Sequence, residues 1–376
     1  MAGIYLHIPF CRKACHYCDF HFSTNRQNEG EVVQAMAKEI FLQKDYLTDP
    51  AIETIYFGGG TPSLLRLKHL ELLLHTLHKN FRITADAEIT LEANPDDLST
   101  NTLAAFRSLG INRLSLGVQT FHDPFLKYLN RTHSADTSIR AFRLAREQGF
   151  TNINLDLIFA MPGQTLDMLE DDVRKLLWLN PEHISAYTLT IEERTVFGWR
   201  HKKGLLQPVP DDYAAEAFLL VDDFLTSAGY RHYEISNYAR TGFVSKHNSS
   251  YWKQTPYLGI GPGAHSFNGL SRQANVANNY LYIKQINQGI VPATVEKLSD
   301  KDRINEYILT SLRTDAGLDL TYLKEILGFT MDVLQLQCIR KWCALGLMNC
   351  TESRIILTRK GMLLADKLAS DLFVTT

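Results

Sequence analysis

The segment Cys11-Arg12-Lys13-Ala14-Cys15-His16-Tyr17-Cys18-Asp19-Phe20 carries three cysteines on one short stretch, directly after the alternating run of residues 4–8. Thiolates are soft ligands, and three of them on one loop can bind three corners of an iron–sulfur cube, which leaves the fourth iron open to a small molecule. His16 and His21 also lie close enough in sequence to complete a zinc site. A structural disulfide would leave one cysteine unpaired. The spacing alone leaves an iron–sulfur cluster, a zinc site and unligated thiols open.

A regular alternation of strand-like and helix-like patterns surrounds this segment. Residues 4–8 place apolar side chains on one face of a strand, and residues 31–47 have the spacing of an amphipathic helix. The apolar run at residues 54–57 ends in Gly58-Gly59-Gly60-Thr61-Pro62-Ser63, and a leucine-rich helix is predicted for residues 64–79. Strand, loop and helix in this order predict repeated βα units with parallel strands.

Two later units repeat the same local pattern. Gly110 and Gly149 each follow a predicted helix, and each leads into an apolar residue, an asparagine and a strand. A further strand is predicted at residues 183–188, after a helix at about residues 165–178. Five or six successive βα units predict either a doubly wound sheet or a complete or partial barrel.

The side-chain alternation within the strands favours the barrel. Apolar residues share one parity, whereas the opposite parity carries polar residues, among them Glu92, Gln119 and Asp156 near the strand ends. A doubly wound sheet is covered by helices on both faces and usually has continuously apolar strands. One acidic residue on a strand more often faces solvent, so the prediction depends on the agreement of three strands. We expect a polar lumen that binds a polar ligand at the carboxyl ends of the strands.

The glycine run Gly58-Gly59-Gly60 has two open interpretations. It could be a simple loop between a strand and a helix. Because glycine lacks a Cβ, it could also let the backbone approach a ligand closely. No Gly-Lys-Ser/Thr follows, so the run is not a Walker A loop, and it does not match the GxGxxG pattern of dinucleotide-binding folds. A nicotinamide cofactor is therefore not supported.

The overall composition is that of an ordinary globular protein. The chain has 376 residues, of which 45% are hydrophobic and 21% charged, and its net charge is −2. This length predicts a large core and two domains, and the charge gives no indication of nucleic-acid binding. No basic leader or long apolar segment precedes residue 3, so we expect a cytoplasmic protein without a transmembrane segment. Cys338, Cys343 and Cys350 are expected to be buried thiols.

The three loop cysteines, the GGGTPS loop of residues 58–63 and the polar lumen positions together resemble the radical S-adenosylmethionine (SAM) superfamily. The resemblance extends from residue 3 to the C-terminus. Within the superfamily, the chain is similar to the branch that contains oxygen-independent coproporphyrinogen III oxidases and HemW-type haem chaperones. This implies an α/β fold, a partial (β/α)6 TIM-type barrel of the radical SAM kind, followed by a mainly helical, winged-helix-like C-terminal domain. The expected divisions are residues 1–235, a connecting region at 236–300, and residues 301–376.

The resemblance also implies two cofactors and the residues that hold them. In the superfamily, three cysteines bind a [4Fe–4S] cluster and SAM occupies the fourth iron, so Cys11, Cys15 and Cys18 are the expected metal ligands. The cofactor supplies the radical chemistry, while the protein orients it and excludes water. No catalytic side chain is assigned. The expected SAM contacts are Tyr5, Tyr17, Gly59, Gly60, Thr61, Glu92, Gln119, Arg131 and Asp156.

Two features distinguish the members of this branch. The oxidases carry a further cysteine two residues after the third, where this chain has Phe20. Residues 247–252 match the HNxxYW motif of the chaperones, and residues 258–266 are also similar to that group. A neutral imidazole can bind haem iron, so His247 and His265 are candidate haem ligands. Structural hydrogen bonds by both histidines are an equally open interpretation.

The favoured hypothesis is a haem chaperone that binds haem, a [4Fe–4S] cluster and SAM and delivers haem to acceptor haemoproteins. Peripheral contact with acceptors in a membrane is compatible with this hypothesis. An oxygen-independent coproporphyrinogen III oxidase that uses a 5′-deoxyadenosyl radical is the alternative, although Phe20 disfavours that activity. A zinc-binding regulator with a winged-helix tail is a third. Residues 301–376 contain ten Lys or Arg against nine Asp or Glu, so no basic face for nucleic acid is expected.

Overall fold

Six parallel strands, which pair in chain order, form the centre of the molecule. The computed structural model describes residues 2–48 and 51–374. The strands are β1 (Ala2–Ile8), β2 (Ala51–Gly59), β3 (Arg82–Ala93), β4 (Arg113–Gln119), β5 (Ile153–Phe159) and β6 (His183–Thr188). The helices between them are α1 (Glu29–Leu42), α2 (Leu67–Asn80), α3 (Thr100–Ser108), α4 (Asp123–Tyr128), α5 (Ala135–Glu147) and α6 (Leu166–Leu179). The predicted partial barrel is confirmed.

The alternation within each strand decides which side chains face the helices and which face the lumen. Ile4, Leu6 and Ile8 of β1 are buried in the main hydrophobic core, beneath the helices. Tyr5, between them, has the opposite parity and lines the barrel interior. Burial of the apolar faces stabilises the barrel, and it leaves the polar faces of neighbouring strands to meet across one lumen.

Residues at the two ends of α3 determine where this helix begins and ends. Ser99 caps α3 by accepting a hydrogen bond from the backbone N–H of Thr102, and the Thr102 hydroxyl in turn accepts one from the backbone N–H of Ser99. Gly110 follows the same helix with a φ of +86°, in the left-handed region that glycine adopts readily. The chain then enters β4, so the position of Gly110 between a helix and a strand is confirmed.

Further strands extend both edges of the central sheet to twelve strands in all. Beyond β6 lie two short antiparallel strands, and beyond β1 lie four more, of which the first is parallel to β1. Residues 236–300, treated above as a connecting region, thus contribute most of these strands. In chain order the elements are α7 (Val196–Lys202), α8 (Asp211–Ser227), β7 (Arg231–Glu234), β8 (Asn237–Ala239), α9 (Lys246–Trp252), β9 (Tyr257–Ile260), β10 (His265–Phe267), β11 (Ser271–Asn275), α10 (Asn279–Asn287) and β12 (Ala293–Lys297).

The C-terminal part has a hydrophobic core of its own and a small three-stranded antiparallel sheet. Its elements are α11 (Asp300–Leu312), β13 (Leu318–Asp319), α12 (Leu320–Glu325), α13 (Val333–Ala344), β14 (Met348–Cys350), β15 (Arg354–Leu357), α14 (Arg359–Met362) and α15 (Ala365–Ser370). Helices followed by a short hairpin match the winged-helix-like expectation. The three cysteines of this part differ from the expected buried thiols, because Cys343 and Cys350 form a disulfide across the end of α13 and β14, and Cys338 is a free thiol that is only partly buried. Within the described ranges, no helix has the length and apolar character needed to cross a membrane.

Candidate functional site

A cavity of about 870 Å³ occupies the barrel interior. This volume lies in the upper part of the usual range for small-molecule sites, about 300–1,000 Å³. Every site residue predicted from the sequence lines the cavity, except His265. Residues separated by more than 200 positions in the chain therefore meet around one space, because parallel strands bring their lumen faces together.

The cysteine loop forms one end of this cavity. Cys11, Cys15 and Cys18 are partly exposed to the cavity and are free thiols. The hydroxyl of Thr61 lies 3.5 Å from the sulfur of Cys11, and a guanidinium nitrogen of Arg131 lies 3.5 Å from that of Cys15. The glycine loop and the segment after β4 thus both reach the cysteine loop.

At two of these thiols, burial outweighs the positive charge of the nearby Arg131. Burial raises the pKa of Cys11, and it raises the pKa of Cys18 to about 11. Thiolates bind metal, so ionised cysteines in this position need a cationic partner, which an iron–sulfur cluster would provide. Among the described residues, no group of three or more His, Cys, Asp or Glu side chains is gathered as for a single metal ion. Three free thiols on one loop that lines the cavity are soft donors of the kind that an iron–sulfur cluster takes.

The glycine loop packs directly on β1 and on the start of the cysteine loop. Gly59 has a φ of +100°, and a Cβ there would lie 2.6 Å from the ring of His7. The N–H of Gly60 donates to the carbonyl of Ile8 at 2.8 Å, and the N–H of Thr61 donates to that of Phe10 at 2.8 Å. These glycines therefore permit close packing of the loop against β1 and the cysteine loop, and close approach to a ligand stays a prediction.

Two carboxylates project into the lumen from β3 and β5, which lie on either side of β4. Glu92 accepts a 2.7 Å hydrogen bond from Tyr56, and Asp156 accepts one of 2.6 Å from Asn154. Burial raises the pKa of Glu92 to about 7 and that of Asp156 to about 6, because a charged carboxylate loses water in the cavity. A ligand with hydroxyl or ammonium donors would stabilise both in their ionised forms.

Gln119 and Arg131 meet near the end of β4. Gln119 has a φ of +70°, which is uncommon for a residue with a side chain and points to a local constraint. A Cβ at Gly117 would lie 2.8 Å from the Gln119 amide and 3.0 Å from Arg131, so glycine permits this approach. Arg131 donates to Asn94 at 2.5 Å and to the Gly117 carbonyl at 2.9 Å.

The two predicted aromatic contacts, Tyr5 and Tyr17, both line the cavity but have different neighbours. Tyr5 stacks on Tyr56 with ring centroids 6.1 Å apart, and its hydroxyl bonds with His7. Tyr17 packs against an apolar group that includes Ile158 and Phe197. Planar ligand groups could lie against either ring.

The structure separates the two candidate haem ligands. His247 lines the main cavity but is only 2% exposed, and its two ring nitrogens bond with Thr54 at 2.7 Å and Tyr251 at 2.9 Å. Burial lowers its pKa to about 3, so the imidazole is neutral. His265 instead lies exposed beside a second cavity of about 240 Å³. Tyr251 lines both cavities.

Several lining residues were not predicted from the sequence. Tyr56 and Arg113 have the same lumen-facing parity as residues that were predicted, so the alternation rule could have found both. His183 shares its parity with Ser185 on the predicted strand at residues 183–188, and Tyr251 is the tyrosine of the HNxxYW motif, so the sequence carried a signal for both. Asn94 lies just past the end of β3 and carries no comparable signal, so its place in the lining arises from tertiary packing.

Comparison with known proteins supports the same fold and family. Residues 5–176 match the model of the Radical SAM superfamily. The chain is 37% identical to the protein named heme chaperone HemW of Bacillus subtilis (strain 168), over 98% of each chain. It is 35% identical to heme chaperone HemW of Lactococcus lactis, over 95% of this chain and 93% of the relative. It is 40% identical to heme chaperone HemW of Escherichia coli (strain K12), over 70% of this chain and 69% of the relative.

A solved structure shares the whole architecture. Coproporphyrinogen III oxidase (HemN) from Escherichia coli, described as a radical SAM enzyme, superposes with a TM-score of 0.85 and covers 99% of this chain and 90% of its own. At 24% sequence identity, this likeness shows the fold alone.

Proposed function

Because the chain belongs to the radical SAM superfamily and, within it, to the HemW family, we propose that it is a haem chaperone that transfers haem to acceptor haemoproteins. Its family implies a [4Fe–4S] cluster and SAM as resident cofactors. Haem would be the cargo. The acceptors, and a location in the cytoplasm, are parts of the proposal.

Phe20 is the observation that carries the chaperone assignment against the oxidase. It occupies the position where the oxidase branch has a cysteine, and it lies on the rim of the main cavity. Its side chain is 69% exposed. A flat apolar ring at the mouth of a cavity suits contact with a porphyrin face.

The cofactors would be held by groups that are already together. Cys11, Cys15 and Cys18 would bind the cluster, and the iron without a protein ligand would accept SAM, which supplies one-electron chemistry when bound. Glu92 and Asp156 would accept hydrogen bonds from ribose hydroxyls or the amino group. Tyr5, Tyr17, Gly59, Gly60, Thr61, Gln119 and Arg131 would complete the SAM site.

The two histidines differ in readiness to bind haem iron. His265 is exposed and its ring makes no hydrogen bond with any described residue, so a nitrogen is accessible. His247 would have to exchange a hydrogen bond with Thr54 or Tyr251 for the iron. Both remain proposed ligands, and the haem spectra of His247→Ala and His265→Ala would distinguish them.

Anaerobic reconstitution followed by haem transfer tests the function. The reconstituted protein should show the absorbance of a [4Fe–4S] cluster, bind haem, and pass it to a haem-free b-type cytochrome faster than free haem equilibrates. Incubation with coproporphyrinogen III and SAM should give no sustained formation of protoporphyrinogen. Sustained product formation would overturn the chaperone assignment in favour of the oxidase.

A further inference from the structure

Arg113 lies deep in the main cavity, at the first position of β4. It has the lumen-facing parity of Ser115 and pairs in register with Thr90, while Ser115 pairs with Glu92. Two residues along a strand correspond to about 7 Å, so the backbone of Arg113 lies about 7 Å further from the carboxyl ends of the strands than that of Glu92. It lines the cavity and is only 2% exposed.

The Arg113 side chain has no hydrogen-bond partner in the part of the chain that the structure describes. Its Nε is buried without a partner, and none of its guanidinium nitrogens forms a hydrogen bond or ion pair with residues 2–48 or 51–374. A guanidinium carries five N–H donors and a permanent charge. Burying such a charge without a partner is costly, so buried arginines are normally paired.

Several polar groups near Arg113 are already bonded to one another. His183 bonds with Asn154 at 2.6 Å and with Tyr233 at 2.8 Å, and Asn248 also donates to Tyr233. Burial lowers the pKa of His183 well below its usual value, so this group is neutral. The hydrogen-bonding groups of these neutral neighbours are thus in use, and the hydroxyl of Thr90, in register with Arg113 on β3, is buried without a hydrogen bond to Arg113 or to any other described residue.

The lumen carboxylates do not pair directly with this arginine either. Arg113 lies near enough to Glu92 and Asp156 for its charge to favour their ionised forms. Their hydrogen bonds, however, come from Tyr56 and Asn154. Arg113 thus contributes a positive potential to the cavity while its fork of donors remains free.

We infer that Arg113 is an anion-binding residue that pairs with the carboxylate of a ligand in this cavity. A planar guanidinium fork matches the two oxygens of a carboxylate. Arg131 is a separate group, since it is engaged with Asn94, the Gly117 carbonyl and Cys15 near the cysteine loop. Resting on the proposed function, two ligands carry the required chemistry: haem, through a propionate, and SAM, through its methionine carboxylate.

Two matched ligand pairs test this inference and identify the source of the carboxylate. Haem is compared with haem dimethyl ester, and SAM with decarboxylated SAM, by equilibrium binding to the reconstituted wild type and to Arg113→Met. For one of the two pairs, Arg113→Met should weaken binding of the ligand that carries the carboxylate about 10- to 100-fold, the usual effect of losing a charged hydrogen bond. Binding of the ligand without the carboxylate should not change. The affinity of Arg113→Lys for the ligand with the carboxylate should lie between those of the wild type and Arg113→Met, because lysine keeps the charge but lacks the planar fork of donors.

The controls separate anion binding from a structural role. Arg140→Met, on the exposed surface of α5, should change none of the four affinities. Removing an unpaired buried charge should leave the urea midpoint of the ligand-free protein unchanged or raise it. Equal weakening of both members of each pair, no weakening in either, or a ligand-free Arg113→Met that fails to fold would overturn the inference. If the wild type binds no haem, the proposed function fails, whereas the SAM pair still decides the role of Arg113.

Discussion

The hydroxyl of Tyr56 on β2 donates a 2.7 Å hydrogen bond to Oε1 of Glu92 on the neighbouring strand β3. Burial raises the pKa of Glu92 to about 7, and the Tyr56 hydrogen bond opposes this rise because it stabilises the carboxylate. The charge of Glu92 near neutral pH therefore depends on Tyr56. Tyr56 therefore affects how strongly the Glu92 carboxylate accepts hydrogen bonds from a ligand, whether or not Tyr56 itself contacts that ligand.

Replacing Tyr56 with Phe should move the pH dependence of SAM binding to higher pH. Wild-type affinity should increase as pH rises through about 7, where Glu92 ionises. Losing a hydrogen bond to a charged group should raise the Glu92 pKa by about 1 unit, which weakens binding near pH 7 about 5-fold and leaves it nearly unchanged at pH 9. Equilibrium dialysis from about pH 6 to pH 9 measures both effects. Parallel curves, displaced equally at every pH, would contradict the role of Glu92 ionisation.

Gly59 and Gly149 provide a matched test of close approach at the glycine loop. Both have a positive φ, +100° and +85°, but a Cβ at Gly59 would lie 2.6 Å from the His7 ring, whereas nothing lies within 4 Å at Gly149. Gly149→Ala should lower the free energy of unfolding by about 1–2 kcal/mol, the cost of left-handed backbone. Gly59→Ala should cost more and also reduce cluster content, because the loop must shift from β1. Equal urea midpoints for the two variants would contradict this expectation.

Glu39 should make the protein less stable as pH rises. Burial raises its pKa to about 7 although Tyr282 and the Gly261 N–H both donate to it. Because the folded-state pKa exceeds the unfolded value, its contribution to stability is fully present below about pH 4.5 and is lost as pH rises through about 7, by about 3 kcal/mol in total. Urea unfolding of the wild type and Glu39→Gln measures this: the wild type should lose its advantage across that window.

The control for this titration is an exposed glutamate. Glu71 lies on the outer face of α2, so Glu71→Gln should follow the wild-type pH dependence. A Glu39→Gln variant with the same slope as the wild type would show that other groups cause the pH dependence.

The alternation of polar and apolar residues predicted the barrel well because it is a local property of each strand. Burial of one parity of side chains under the helices leaves the other parity to form the lumen, so Glu92, Gln119 and Asp156 were expected to face inward, and all three line the cavity. The left-handed φ of Gln119 was not predictable, since it depends on the shift in register between β4 and β5.

Features that depend on contacts between distant segments of the chain could not be predicted from the sequence. The HNxxYW motif identified the family, but nothing in it indicates that Thr54, from β2, bonds with His247. The strands β9 to β12 were missed because each has only three to five residues and they are interrupted by glycine and proline. Strands this short are held by pairing with their neighbours rather than by their own pattern.

Replacing one cysteine of the loop should remove the cluster. Cys18→Ser retains the size of the side chain but replaces a soft ligand by a hard one, so reconstituted protein should contain little [4Fe–4S] cluster by iron content and absorbance. Cys338→Ser removes a free thiol of the C-terminal part and should leave the cluster unchanged. Full cluster content in Cys18→Ser would exclude this residue as a ligand.

Phe20 should contribute to haem binding through its exposed ring. Phe20→Ala removes an aromatic surface at the cavity rim and should weaken haem binding about 5- to 20-fold, in line with the loss of one aromatic contact. Cluster content should not change, because Phe20 offers no ligand atom. Phe41→Ala is the matched control, since Phe41 is 57% exposed but lies on α1 away from the cavity lining. Equal haem affinities for the two variants would show that haem does not rest on Phe20, whereas a loss of the cluster in Phe20→Ala alone would make this residue part of the cofactor site rather than the cargo site.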